Sequence, residues 1–121
     1  MSKTIFIVED ERLIAKSLKE PLIERGYITR VIYDGAKAFD EICTECPDLV
    51  LLDLLMPGVD GFAVLRQLQS DERTRDIPVI VITNLQGREK EVKEIKKDTF
   101  YFFKGRISLK QIADKVDVIL S

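Results

Sequence analysis

Leu49-Val50-Leu51-Leu52, closed by Asp53 and followed by the loop Met56-Pro57-Gly58-Val59-Asp60-Gly61, decides the fold. A wholly apolar run this short is what a strand shows when both its faces are covered. The loop carries two glycines and, at Asp60, a residue suited to capping the helix that follows. The same grammar recurs outward in both directions. Upstream, Thr4-Ile5-Phe6-Ile7-Val8 is another apolar run, ending in Glu9-Asp10-Glu11. Downstream, Ile77-Pro78-Val79-Ile80-Val81-Ile82 ends at Thr83, and Phe100-Tyr101-Phe102-Phe103 ends at Lys104. Tyr27 to Tyr33 adds one more β-rich stretch.

Helical spacing fills the intervals. Leu13, Ile14, Leu18, Leu22 and Ile23 recur at helical intervals until Gly26, a left-handed cap, and Pro21 predicts a kink within that helix. Asp34-Gly35 opens a second helix with the stripe Ala36, Ala38, Phe39 and Ile42, which Pro47 stops. Phe62, Val64, Leu65 and Leu68 give a third. The very polar run from Gln86 to Asp98 predicts a fourth, seated shallowly on Val92 and Ile95. Ser108 and Gln111 fit a capping box ahead of Leu109, Ile112, Val116 and Ile119. Five βα units in 121 residues predict a single α/β domain over residues 1–121, a parallel sheet with helices on both faces and right-handed crossovers. A closed eight-unit barrel needs a chain about twice as long.

Composition narrows the function. With 19 Lys+Arg against 21 Asp+Glu, the net charge is −2, which supplies no basic field for a nucleic-acid backbone. The chain has no His, so Ser-His-Asp and Cys-His catalysis and His-ligated metal centres are excluded. No apolar run reaches the ~20 residues of a membrane span, and the start lacks the apolar region of a signal peptide, so a cytoplasmic location is expected. Cys43 and Cys46 have the spacing of a redox pair but fall at a helix end, where the dipole disfavours thiolate; core or half-buried thiols are expected instead.

In open sheets of this kind, ligands sit beyond the carboxyl ends of the strands, where strand order reverses. The residues there are Glu9, Asp10, Asp53, Thr83 and Lys104. Carboxylates packed together either take up protons or hold a cation, and oxygen-only ligands favour Mg²⁺. With a metal on one side of a phosphoryl group, Lys104 on the other and the Thr83 hydroxyl on a third oxygen, Asp53 becomes a nucleophile and the product an aspartyl phosphate.

Taken together, Val8-Glu9-Asp10-Glu11, Asp34-Gly35, the stretch from Asp48 to Asp53, Met56 to Gly61, Pro78 to Thr83 and Tyr101 to Lys104 resemble the receiver domain of two-component response regulators, the CheY-like family. The resemblance spans the whole chain and implies a flavodoxin-like (βα)5 sheet of strand order 2-1-3-4-5. It implies that Asp53 is the phosphoacceptor, taking its phosphoryl group from a sensor histidine kinase or a histidine phosphotransfer protein in a phosphorelay. Asp10 would bind Mg²⁺ directly, Glu9 mainly through water, and Asp53 and the Leu55 carbonyl would complete the protein's share, with Mn²⁺ able to substitute. Lys104, Thr83 and the amides of Leu55 and Asn84 would touch phosphoryl oxygens. Thr83 and Tyr101 resemble the switch pair that remodels the surface of the fourth helix, fifth strand and fifth helix for a downstream protein or output domain. Dimerisation on phosphorylation is compatible with this picture, and the chain would catalyse only its own phosphorylation and dephosphorylation.

Gly105 stands where the family usually has Pro after the lysine, Asn84 where it usually has a small residue, and Gln86 to Asp98 is unusually charged. These departures suggest the alternative of a receiver-shaped interaction module that needs no phosphorylation. A haloacid-dehalogenase-type phosphatase wants a second acid two residues after its nucleophile, and that position is Leu55. A flavodoxin-like flavin carrier would find its phosphate repelled by Glu9-Asp10-Glu11. Leu55 and Leu85, two residues past Asp53 and Thr83, should flank the phosphoryl group, and two apolar side chains offer nothing to orient an attacking water. Slow autodephosphorylation is expected.

Overall fold

The computed structural model describes residues 2–121, and strand and helix alternate as the apolar pattern requires. The strands are β1 (Thr4–Val8), β2 (Ile28–Ile32), β3 (Leu49–Leu52), β4 (Val79–Thr83) and β5 (Phe100–Phe103). The helices are α1 (Arg12–Glu24), α2 (Gly35–Glu45), α3 (Gly61–Ser70), α4 (Glu89–Ile95) and α5 (Leu109–Leu120). All neighbouring strands are parallel, in the order β2-β1-β3-β4-β5.

Side chains alternate across a strand, so each central strand feeds two cores. Ile5, Ile7, Leu49, Leu51, Ile80 and Ile82 face α1 and α5, meeting Leu18, Leu22, Ile112 and Val116. Phe6, Val8, Val50, Leu52, Val79 and Val81 face α2, α3 and α4, meeting Ala38, Ile42, Leu65, Leu68 and Val92. Burial on both faces explains why β1, β3 and β4 read as unbroken apolar runs. The two edge strands are less covered: β2 leaves Ile28 exposed, and all four aromatics of β5 are half-buried.

Local chemistry sets the ends of the elements. Asp34 accepts a hydrogen bond from the Ala36 amide at 2.9 Å and Asp60 one from the Ala63 amide at 2.9 Å, capping α2 and α3. Ser108 accepts from the Gln111 amide at 3.0 Å while the Gln111 side chain accepts from the Ser108 amide at 2.8 Å, closing the expected capping box. After α1, Gly26 takes φ +91, its amide donates to Ile23 and the Tyr27 amide donates to Leu22. That pair of bonds is a Schellman motif, which needs a left-handed residue where Gly26 stands.

Several expectations need correction. α1 holds Pro21 within it, and its buried stripe is Ala15, Leu18 and Leu22 rather than the full expected set, with Leu13 and Ile23 exposed. Leu13 lies about 200° around the helix from Ala15, which turns it away from the sheet. β4 begins at Val79 rather than Ile77; Pro78 has no amide to give the ladder, although its carbonyl accepts from the Val50 amide. Cys43 is half-buried and its thiol is shifted up by burial, but Cys46 is exposed and ends α2 in the left-handed region at φ 47.

The largest correction concerns α4, which covers only Glu89–Ile95 of the expected 86–98. Gly87 adopts φ +73, so the chain cannot enter the helix before it. At the far end, Lys96 turns extended and is only 5% exposed, its Nζ donating to the Arg75 carbonyl at 2.7 Å in the loop before β4. Burying that ammonium removes Lys96 from the helix. A helix this short is marginal by itself and depends on its anchor, the fully buried Val92, with Ile95 packed beside it. Val92→Ala should cost about 2 kcal/mol in urea unfolding and raise amide exchange first across α4; uniform acceleration through the sheet would contradict this anchoring role.

Candidate functional site

Register brings the candidate residues together. Val8 pairs with Leu52, so Glu9 and Asp53 emerge side by side from β1 and β3. Thr83 pairs with Phe103 across β4 and β5, so Lys104 rises one step beyond Thr83. The chain passes Lys104 in a single 3-10 turn, Lys104–Arg106, and no cis peptide bond occurs among the described residues.

Lys104 is the centre of the cluster. Its Nζ donates to Glu9 Oε1 at 2.8 Å and to Asp53 Oδ2 at 3.0 Å, closing contacts across 95 and 51 residues of chain. Both carboxylates are buried, at 1% and 4% exposure of their side chains. The second oxygens are also engaged: Asp53 Oδ1 accepts from the Leu55 amide at 3.1 Å, and Glu9 Oε2 from the Glu11 amide at 3.2 Å. Asp10 stands beside them, half-buried, and carboxylate oxygens of Glu9, Asp10 and Asp53 lie within 4.8 Å of one another. Among the described residues this is the group able to hold a metal ion.

Burial pushes the Glu9 carboxyl up from 4.5 to about 7; the Lys104 hydrogen bond pulls it down, and the neighbouring Asp53 charge raises it again. Burial alone would lower the Lys104 ammonium, but its hydrogen bonds to Glu9 and Asp53 and their charges leave it raised. One ammonium thus faces three carboxylates, and the pocket is short of positive charge. That deficit, with an all-oxygen donor set, fits a hard divalent cation.

Burial of the Glu9 carboxyl makes stability depend on pH. A carboxyl whose folded pKa is raised binds its proton more tightly when folded, so its contribution is complete below about 4.5 and is lost as pH rises through about 7. No His titrates in this window. Without divalent cations, the thermal midpoint should fall between about pH 5 and about pH 8, and fall less in Glu9→Gln. Equal pH slopes in the two proteins would contradict the raised Glu9 carboxyl.

Thr83 is fully buried at the end of β4, and its Oγ1 accepts from the Leu85 amide at 3.2 Å. Tyr101 is half-buried against the α2–α3–α4 core, its hydroxyl donating to the Leu85 carbonyl; burial raises its pKa. The backbone of Leu85, through its amide on one side and its carbonyl on the other, therefore links the two side chains expected to act as a pair. Nothing in the spacing of the sequence shows such a backbone link. Leu55 is 48% exposed at the mouth of the pocket and Leu85 is half-buried. Asn84 is exposed and lies in the wall of a neighbouring cleft with Lys104 and Gly105.

Two further contributors escape sequence reasoning. The amide of Gly61 donates to the Leu54 carbonyl at 3.0 Å, pressing its Cα against the backbone of Asp53 and Leu54. Arg88 lays its guanidinium 4.6 Å from the centre of the Phe62 ring and pairs with Glu91 at 2.6 Å, pinning the start of α4 to α3. The first signal is present as the glycine after Asp60; the second has none.

A parallel five-stranded sheet of this order, with acids after β1 and β3, a hydroxyl after β4 and a lysine after β5, defines a class. The family model described as the response regulator receiver domain matches residues 5–117, and the chain belongs to that family. It is similar to response regulator PleD of Caulobacter vibrioides, with 41% identity over 88 residues, 73% of this chain and 19% of PleD. Against MprA of Mycobacterium bovis the identity is 40% over 69% of this chain and 35% of that protein. The chain thus spans between a fifth and about a third of the curated relatives it matches. Among solved structures, response regulator protein TrrA of Thermotoga maritima in complex with Mg(2+)-BeF matches with TM-score 0.84 and 28% identity, covering 97% of this chain and 98% of that one. No helix of the described residues is long and apolar enough to cross a membrane.

Proposed function

We propose that this chain, residues 1–121, is a phosphoacceptor receiver in which Asp53 takes a phosphoryl group from a phosphohistidine. The observation that carries the reading is Lys104 Nζ held between Glu9 and Asp53 at 2.8 and 3.0 Å, with Asp10 completing a compact group of three carboxylates. A nucleophilic carboxylate needs its negatively charged target neutralised before the two can approach. Lys104 supplies a fixed positive charge at Asp53 Oδ2, leaving Oδ1, which holds only the Leu55 amide, to attack phosphorus. The amides of Leu55 and Asn84, and the Thr83 hydroxyl, would donate to phosphoryl oxygens.

Glu9, Asp10, Asp53 and the Leu55 carbonyl would hold Mg²⁺, with Mn²⁺ as a substitute. Bound there, the ion supplies positive charge to phosphoryl oxygens and cancels the repulsion among the acids. TrrA, whose structure carries Mg(2+)-BeF, supports this assignment by similarity. When the Thr83 hydroxyl turns to a phosphoryl oxygen, the Leu85 amide loses its acceptor while Tyr101 still holds the Leu85 carbonyl. The loop before α4 then changes its constraints, and with it the face of α4, β5 and α5. The donor would be a histidine kinase or histidine phosphotransfer protein in the cytoplasm, and the reader of that face a downstream protein or output domain. The chain acts as a signalling module whose chemistry is confined to its own phosphorylation and dephosphorylation.

Mg²⁺-dependent uptake of one phosphoryl group from acetyl phosphate, read by intact mass and abolished by EDTA, tests the proposal; a folded protein that gains none would overturn it. The phosphoryl group should also be long-lived, because Leu55 and Leu85 give an attacking water no hydrogen-bonding partner. Leu55→Asn with Leu85→Glu should shorten its lifetime by roughly tenfold or more, and an unchanged lifetime would remove this account of persistence.

A further inference from the structure

An open apolar cleft of about 420 Å³ lies beside the acidic pocket, on the α1–α5 face of the sheet. Its walls include Leu13, Ile14, Ile107, Leu109 and Ile112, and Lys104 and Asn84 stand at its polar end. Lys104 belongs to both places, since its Nζ is bonded to Asp53 Oδ2 while its flank lines the cleft. Leu18 and Ile82 likewise line the cleft and the floor beneath Asp53. Cleft and pocket are therefore neighbours that share Lys104 as a common wall. Leu13, 82% exposed, and Leu109, 42% exposed, are apolar side chains that the domain's own core leaves uncovered.

We propose that this cleft receives the hydrocarbon tail of a small acyl phosphate, making medium-chain acyl phosphates better direct phosphodonors than acetyl phosphate. The inference rests on the phosphoacceptor reading of Asp53 and names a substrate class for it. The ligand has two ends that match two neighbouring environments. Its dianionic phosphate belongs with Lys104, and its alkyl chain with Leu13, Ile107, Leu109 and Ile112. In the reaction, a carboxylate oxygen of Asp53 bonds to phosphorus as the bond from phosphorus to the acyl oxygen breaks. The electron pair leaves with that oxygen as a free carboxylate, and no outside oxidant, reductant or proton is needed. Acetyl phosphate places one methyl group at the cleft, whereas hexanoyl phosphate adds four methylenes to be covered.

Full burial of one methylene is worth roughly fourfold in an equilibrium, and an open cleft gives part of that. The second-order rate of phosphoryl uptake should therefore rise through acetyl, butyryl and hexanoyl phosphate, by about tenfold from first to last. The intact chain with Mg²⁺, followed by mass, measures all three. In Leu13→Gln with Leu109→Gln, substitutions at exposed positions, the ratio of hexanoyl to acetyl rates should fall to near one. Hexylphosphonate, whose phosphorus cannot be transferred, should shift the methyl resonances of Leu13, Leu109 and Ile112 and leave those of Val118, exposed elsewhere on α5, unmoved. Equal rates for the three donors in the parent protein would overturn the cleft assignment while leaving the acceptor reading intact. A chain-length effect that survives the double substitution, or absent methyl shifts, would overturn it as well. Uptake from none of the donors would remove the acceptor reading and this proposal with it.

Discussion

Lys104→Ala should lower the rate of phosphoryl uptake by about 10²- to 10³-fold, the usual cost of losing one preorganised charge from a reacting centre. It also destabilises the protein. The ammonium joins two buried carboxylates, and removing one partner of a buried pair leaves the other charges uncompensated, at about 3 to 5 kcal/mol. The loss should be largest near pH 8, where Glu9 is ionised, and smaller near pH 5, where a carboxyl held at about 7 by burial already carries its proton. Millimolar Mg²⁺ should restore stability without restoring the rate, because the cation relieves the acids but does not occupy the position of Lys104. Urea unfolding at both pH values, with and without Mg²⁺, separates these effects. A stability loss that is the same at pH 5 and pH 8 would mean that Lys104 acts through packing rather than charge.

Gly61→Ala should have the second large effect, and it acts through the backbone. A Cβ at that position would stand 2.2 Å from the Asp53 carbonyl oxygen and 2.5 Å from the Leu54 Cα. Both obstacles are main chain, so no rotamer change relieves them, and either α3 must retreat or the turn after β3 must open. About 2 to 4 kcal/mol of stability should be lost, together with phosphoryl uptake, since Asp53 moves with its own carbonyl. Gly58 gives the contrast. It adopts φ +78, and a methyl group added there would find nothing within 4 Å, so Gly58→Ala meets only left-handed strain, about 1 kcal/mol. If the two substitutions cost the same, close approach at Gly61 is not what orders this turn.

The residues of the site are legible in the sequence because topology, rather than local pattern, gathers them. Asp53, Thr83 and Lys104 are each ordinary residues at the end of an apolar run. They become a cluster once the runs are recognised as neighbouring parallel strands whose carboxyl ends share one edge. Sequence brings Glu9 to this edge, and resemblance makes it a water-mediated metal ligand; in the fold it is buried, bonded to Lys104, and its carboxyl is pushed up to about 7 by burial. Its partner lies 95 residues away, and no local pattern encodes that contact.

The fourth helix shows the opposite limit. A polar run gives helical periodicity little to act on, and its ends are set by two events invisible to periodicity, the left-handed Gly87 and the burial of Lys96 beneath the Arg75 carbonyl. Exposure on α1 escapes the pattern for a related reason. Leu13 belongs to an apolar stripe when residues are counted, yet it faces outward toward the cleft shared with Leu109. Apolar residues that break the expected face are where the fold leaves surface for something else.

The central claim is that Asp53 is the acceptor, and the most direct measurement locates the phosphoryl group. The chain is incubated with acetyl phosphate and Mg²⁺, reduced with borohydride to convert an acyl phosphate on aspartate to homoserine, and mapped by peptide mass spectrometry beside an Asp53→Asn control. Conversion confined to Asp53, and absent in the control, is the predicted result. Conversion at Asp10 or another acid, or none in a protein that folds and binds Mg²⁺, would contradict the account.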